Sequence, residues 1–147
     1  ENYHPRWSPD PLLGIGPIES LFTTEIAKLL VRDDAIRGDD MLARAAPVLD
    51  SVVEVTHSNV DDSLLELSAL GVTKATTLAL LAKRWGIAQN EVVAFGDMPN
   101  DTDMLKWAGR GYAVGNAHPS VLAVADEHAP SIHDDGVAQV VERLLAL

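Results

Sequence analysis

The chain has 147 residues, 47% hydrophobic and 22% charged, with a net charge of −11 and no cysteine. That supplies apolar material for one ordinary domain or two small lobes. The acidic balance disfavours nucleic acid and anionic membrane surfaces as partners, and the lack of thiols excludes disulfides, thiolate catalysis and cysteine-based zinc sites.

Four of the eight prolines, Pro5, Pro9, Pro11 and Pro17, fall in residues 1–17, and this stretch reads as a linker or loop with Trp7 as an anchor. Residues 26–31 read as a strand ending at Arg32-Asp33-Asp34, and 39–46 as a short helix closed by Pro47. Residues 51–57 alternate and are β-branched, so they predict a strand. Asn59-Val-Asp-Asp62 is turn chemistry, and 64–68 a second strand that pairs with 51–57 as a hairpin. Residues 18–68 thus form a small α+β unit.

The pattern then changes. Thr73 is placed to cap a helix over 74–85, with Leu78, Leu81, Ala82 and Trp85 on one face and Gly86 as its stop. Residues 91–95 predict a strand buried on both faces. A helix over 101–108, a strand over 111–114, a helix over 119–125, an edge strand over 127–129 and an amphipathic helix over 136–147 follow. Such alternation predicts a doubly wound, mostly parallel sheet for residues 69–147. No apolar run approaches the roughly 18 residues of a membrane span, and residues 1–6 do not open a signal peptide; a cytoplasmic protein is expected. The sequence does not start with Met, which suggests a processed or truncated piece of something longer.

The run Val92-Val-Ala-Phe-Gly-Asp-Met-Pro-Asn-Asp101 carries the densest chemistry. Asp97 follows a buried strand and so falls at the sheet's carboxyl edge, where α/β folds gather their sites. Taken singly, Asn100 or Asp101 reads as a helix cap and Asp103 as a first-turn acid. Four polar groups in seven positions call for a cation or a basic side chain nearby. A calcium loop counted from Asp97 fails, since only Asp97 and Asp101 fit its ligand positions. Magnesium suits better, because it takes one or two carboxylates, keeps several waters and shares its shell with phosphate. Lys74 is either an ordinary solvated lysine or the positive charge phosphate chemistry needs; at a helix start it opposes the dipole, so its placement asks for a reason.

Gly71-Val-Thr-Lys74, the run from Val92 to Leu105, Ala113-Val-Gly-Asn-Ala-His-Pro119, Ala125-Asp126 and Asp135-Gly-Val-Ala138 occur in order. Together they resemble the C-terminal half of haloacid dehalogenase-superfamily phosphatases, in the Cof-like type IIB branch. The resemblance covers residues 63–147 strongly, and 18–62 look like the later part of that branch's α/β cap. It implies a partial Rossmann-like core over 69–147 with part of an α+β type C2 cap over 18–68. It implies a Mg²⁺-dependent phosphomonoester hydrolase working through a phospho-aspartate on a sugar phosphate or similar small phosphorylated metabolite. Lys74 would contact the phosphate and steady the nucleophile, Asp97 would help hold Mg²⁺, and Asn100 would contact phosphate or metal-bound water. Asp101 would support the lysine and the loop, and Asn116 would shape the site.

The family's reaction also needs an aspartate nucleophile in an Asp-x-Asp motif after the first strand. Val31-Arg-Asp-Asp-Ala35 follows a strand but lacks that spacing, and Asp10-Pro-Leu12 follows no strand. The expectation is a C-terminal portion of a longer enzyme, inactive alone, with exposed apolar sheet edges and a complementing N-terminal segment as partner. The competing reading is a non-catalytic binding or regulatory module on the same scaffold; a weaker third is phosphosugar mutase chemistry.

Overall fold

A computed structural model describes residues 16–22 and 25–146. The linker expected over 1–17, with Trp7 and Asp10, lies almost wholly outside the described residues. The chain builds two three-stranded sheets, and a four-residue connector, residues 70–73, leads from the first into the helix that precedes the second.

The first sheet holds β1 (Leu29–Arg32), β2 (Val53–Thr56) and β3 (Leu64–Ala69) in the order β1-β3-β2, all antiparallel. The predicted hairpin is β2 with β3, in the register Val53↔Ala69 to Thr56↔Glu66. β1 occupies the other edge of β3, from Leu29↔Leu67 to Arg32↔Leu64, so residues 26–28 of the predicted strand precede the ladder. Helix α1 (Gly38–Leu49) packs on this sheet. It runs through Pro47, where a stop was expected. Proline forfeits one donor, but the last turn still closes, because Asp50 N–H donates to the Ala46 carbonyl at 3.0 Å.

The second sheet holds β4 (Val93–Gly96), β5 (Arg110–Val114) and β6 (Glu127–Ala129), parallel and in that order. Around it lie α2 (Lys74–Trp85), α3 (Thr102–Trp107), α4 (Pro119–Leu122) and α5 (Gly136–Leu145). Leu105 and Val121 close one face of the sheet over Ala94 and Ala113, and Val140 of α5 closes the other over Tyr112 and Ala129. Full burial of such a side chain contributes about 1.5–3 kcal/mol each. Phe95 stacks on Tyr112 with centroids 5.3 Å apart.

The α2 boundaries fall where the sequence placed them. Thr73 Oγ1 accepts from Thr76 N–H at 3.1 Å, and Thr73 N–H donates to Thr76 Oγ1 at 3.0 Å, a reciprocal cap. Gly86 ends the helix at φ +69°, a conformation that costs glycine little. Two expectations are corrected. The helix predicted over 101–108 begins as a 3-10 turn, Pro99–Asp101, because Pro99 starts the helical path early. β4 is not buried on both faces: Val93 is 39% exposed, since among the described residues β4 is an edge strand.

Candidate active site

The loop after β4 is folded around one carboxylate. Asp101 is 4% exposed, and its Oδ2 accepts from the backbone N–H of Asp97 at 3.0 Å and of Met98 at 3.3 Å. Its Oδ1 accepts from Lys74 Nζ. Asp101 therefore caps the preceding loop and makes no side-chain cap to α3. Gly96 makes room for it: a Cβ there would lie 2.5 Å from Asp101 Cβ. Lys74, the first residue of α2, leans to this carboxylate instead of to solvent alone, which answers its awkward place at the positive end of a helix.

Asp97 is exposed, and its carboxylate has no hydrogen bond or ion pair with any described residue. Its backbone is fixed instead, since its carbonyl accepts from His118 N–H at 2.7 Å. Asn100 is half-buried, and its Oδ1 is buried without a partner among the described residues. Buried amide oxygens are normally satisfied, so this one points to a donor such as a bound water or a protonated ligand oxygen. Asn116 Oδ1 accepts from Ile132 N–H at 3.0 Å and Ser131 Oγ at 3.3 Å, tying the loop after β5 to the turn after β6. Asp126 is committed to structure, accepting from Gly111 N–H at 2.8 Å.

These donors suit a magnesium ion only in part. The described residues contain no group of three or more His, Cys, Asp or Glu side chains able to hold a metal. Magnesium does not need one: it keeps waters and takes one or two carboxylates with phosphate oxygens. The unpartnered Asp97 carboxylate, on the same loop as the orphaned Asn100 oxygen, fits that habit as a single protein ligand.

A cleft of about 580 Å³ lies between the two sheets' units. Lys74 and Asn100 line one side, and Glu54, Thr56 and Glu66 of the antiparallel sheet, with Lys28 just before β1, line the other. Glu66 sits between Lys28 Nζ and Ser58 Oγ, the latter at 2.6 Å. Burial pushes its carboxyl up, but the bonds from Lys28 and Ser58 and the charges of Lys28 and Lys74 prevail, and its pKa lies below the ordinary carboxylate value. Sequence reading missed this polar wall, because alternation shows which strand residues share a face but not what that face meets. It also missed Asp39, whose carboxylate reaches both His57 and His118.

An open parallel sheet, a polar loop at the carboxyl end of one strand and a second sheet across a cleft define an α/β fold with its site at the strand ends. The family model for haloacid dehalogenase-like hydrolases matches residues 14–141, and the chain belongs to that family. It is 43% identical over 81 residues to the 5-amino-6-(5-phospho-D-ribitylamino)uracil phosphatase YbjI of Escherichia coli, covering 55% of this chain and 30% of that protein. It is 35% identical over 106 residues to the Bacillus subtilis phosphatase YcsE, which is named for the same substrate, covering 72% of this chain and 43% of that one. A solved phosphatase of the haloalkanoate enzyme superfamily from Bacteroides thetaiotaomicron superposes with a TM-score of 0.75 at 28% identity, over 93% of this chain and 49% of that one. The chain thus spans less than half the length of these relatives. No described helix is long and apolar enough to cross a membrane.

Proposed function

We propose that this chain is the cap-and-core portion of a phosphomonoester hydrolase that passes a phosphoryl group through an aspartate. One observation carries the reading: Asp101 holds both Lys74, which lines the cleft, and the backbone of the loop on which Asp97 stands exposed and unpartnered. Lys74 keeps a half-exposed side chain, so its ammonium has free donors for a phosphate oxygen while Asp101 holds its direction. Asn100 places an amide on the same wall, where it contacts phosphate or metal-bound water. Asp97 is the residue that would hold Mg²⁺, which when bound supplies charge neutralisation at the phosphate. Asn116 fixes the neighbouring loop.

The nucleophilic aspartate belongs to a segment outside the sequence in hand, which complements the core as an N-terminal partner and without which the chain is inactive. The antiparallel unit acts as the cap. Its hydroxyl, carboxylate and ammonium groups at Thr56, Glu66 and Lys28 suit a hydroxylated leaving group, so the substrate class is a sugar phosphate or similar small phosphorylated metabolite. The names of the two relatives, both of a phosphorylated ribityl compound, support this class. A cytoplasmic location goes with such a substrate.

The test is phosphate release from an aryl phosphate, with and without Mg²⁺, by this chain and by a longer one carrying an Asp-x-Asp segment ahead of it. Turnover is expected only in the longer chain and only with Mg²⁺, and it should vanish in Asp97→Asn. Turnover indifferent to both Mg²⁺ and Asp97→Asn would overturn the reading. A longer chain with no turnover on any phosphate ester would favour the binding-module alternative.

A further inference from the structure

A polar contact between the two units runs through Asp39 and His118. Asp39, in the first turn of α1, spans two imidazoles. Its Oδ1 is 2.8 Å from His57 Nε2, and its Oδ2 is 3.3 Å from His118 Nε2. His57 closes the antiparallel unit just after β2 and is fully buried. His118 belongs to the parallel unit, 79 residues from Asp39. The two rings stand edge to face, 6.2 Å apart.

The bonding fixes which way each ring points. His118 Nδ1 accepts from Ser120 N–H at 3.2 Å and lies 2.7 Å from Ser120 Oγ, so its proton sits on Nε2 and is donated to Asp39. His57 Nδ1 has no partner, so its proton also sits on Nε2, facing the same carboxylate. A carboxylate presents two acceptor oxygens, one to each ring, whereas an amide of the same shape would turn a donor toward one of them. The backbone of His118 then donates to the Asp97 carbonyl at 2.7 Å. A continuous chain of bonds thus runs from His57 through Asp39 and His118 to the loop that carries Asp97.

We infer that Asp39 is a positioning residue: it sets the antiparallel unit in register against the Asp97 loop, acting through His118. Replacing it by a group that cannot accept twice would free one imidazole and uncouple the units. The inference stands on geometry and does not depend on the phosphatase reading, so either can fail without the other.

The sequence lacks cysteine, so spin labels introduced at Arg44 on α1 and Glu142 on α5, both exposed, would be the only ones. Their separation would be read by pulsed electron spin resonance in the chain as it stands, in Asp39→Asn, in His118→Gln and in the neighbouring Asp40→Asn. A narrow distribution is expected for the parent and for Asp40→Asn, and a broader, shifted one for the other two. In ¹⁵N spectra the His118 amide should shift in Asp39→Asn, a change that a purely local role in α1 would not produce. Should Asp39→Asn fail to fold, His118→Gln reads the same distance with His57 still bonded. An unchanged distribution in His118→Gln, or an unmoved His118 amide in a folded Asp39→Asn, would overturn the inference.

Discussion

Lys74 Nζ donates to the carboxylate of Asp101 across the seam between α2 and the loop after β4, bringing together residues 27 apart in the chain. The acceptor is nearly buried and the donor is half in water. Removing the lysine leaves a buried carboxylate with two backbone donors. Removing the aspartate leaves those donors bare.

Asp101→Ala should therefore cost more stability than Lys74→Met. The expected losses are about 2–4 kcal/mol for the first and about 1–2 kcal/mol for the second, reduced because water screens the exposed ammonium. Urea unfolding of both variants and the double variant would measure this. Additive losses would mean the pair is not coupled.

Gly96→Ala should destabilise by about 1–3 kcal/mol, because the added methyl group meets Asp101 Cβ and forces the loop outward. A thermal melt reads the loss. A melting temperature equal to the parent's would show that the loop yields freely, and the tight approach would then have no energetic meaning.

Asp97→Asn should leave stability within about 0.5 kcal/mol of the parent, since the carboxylate has no partner to lose. Titration calorimetry with Mg²⁺ on the longer chain carrying the Asp-x-Asp segment should show weakened binding in the same variant. A destabilised Asp97→Asn with unchanged Mg²⁺ binding would recast Asp97 as a structural residue.

Glu66 gives a pH dependence of defined sign. Its folded pKa is below the ordinary 4.5, so its contribution is present above pH 4.5 and is lost as pH falls through the depressed folded value. The melting temperature of the parent should drop in that acid window more steeply than that of Glu66→Gln. Parallel acid profiles for the two would refute the assignment.

What could be read in the sequence was local. Thr73 and Gly86 announce the ends of α2 by their own chemistry, and Asp97 to Asp101 mark a candidate site because polarity follows an apolar run. The extent of α1 past Pro47 depended on whether the next turn could close, which proline alone does not decide. The exposure of Val93 depended on which strands flank β4. Asp39 looked like an ordinary first-turn acid, because nothing near it in sequence reveals a histidine 79 positions on. Lys28 and Glu66 were equally silent until β1 and β3 became neighbours.

The connector from β3 to α2 has no slack. Ser68 Oγ donates to the Val72 carbonyl, Gly71 N–H to Glu54 Oε1, and Thr76 Oγ1 to the Gly71 carbonyl. The turn between β2 and β3 lies at the far end of the same sheet and holds no residue of the cleft wall. Lengthening the turn by a residue or two should thus leave the cleft wall in place, provided that His57 and Ser58 keep their bonds to Asp39 and Glu66. The same insertion at the connector would change the phase at which α2 starts and swing Lys74 off its mark, so lineages sharing this fold have room to vary the first length and little to vary the second.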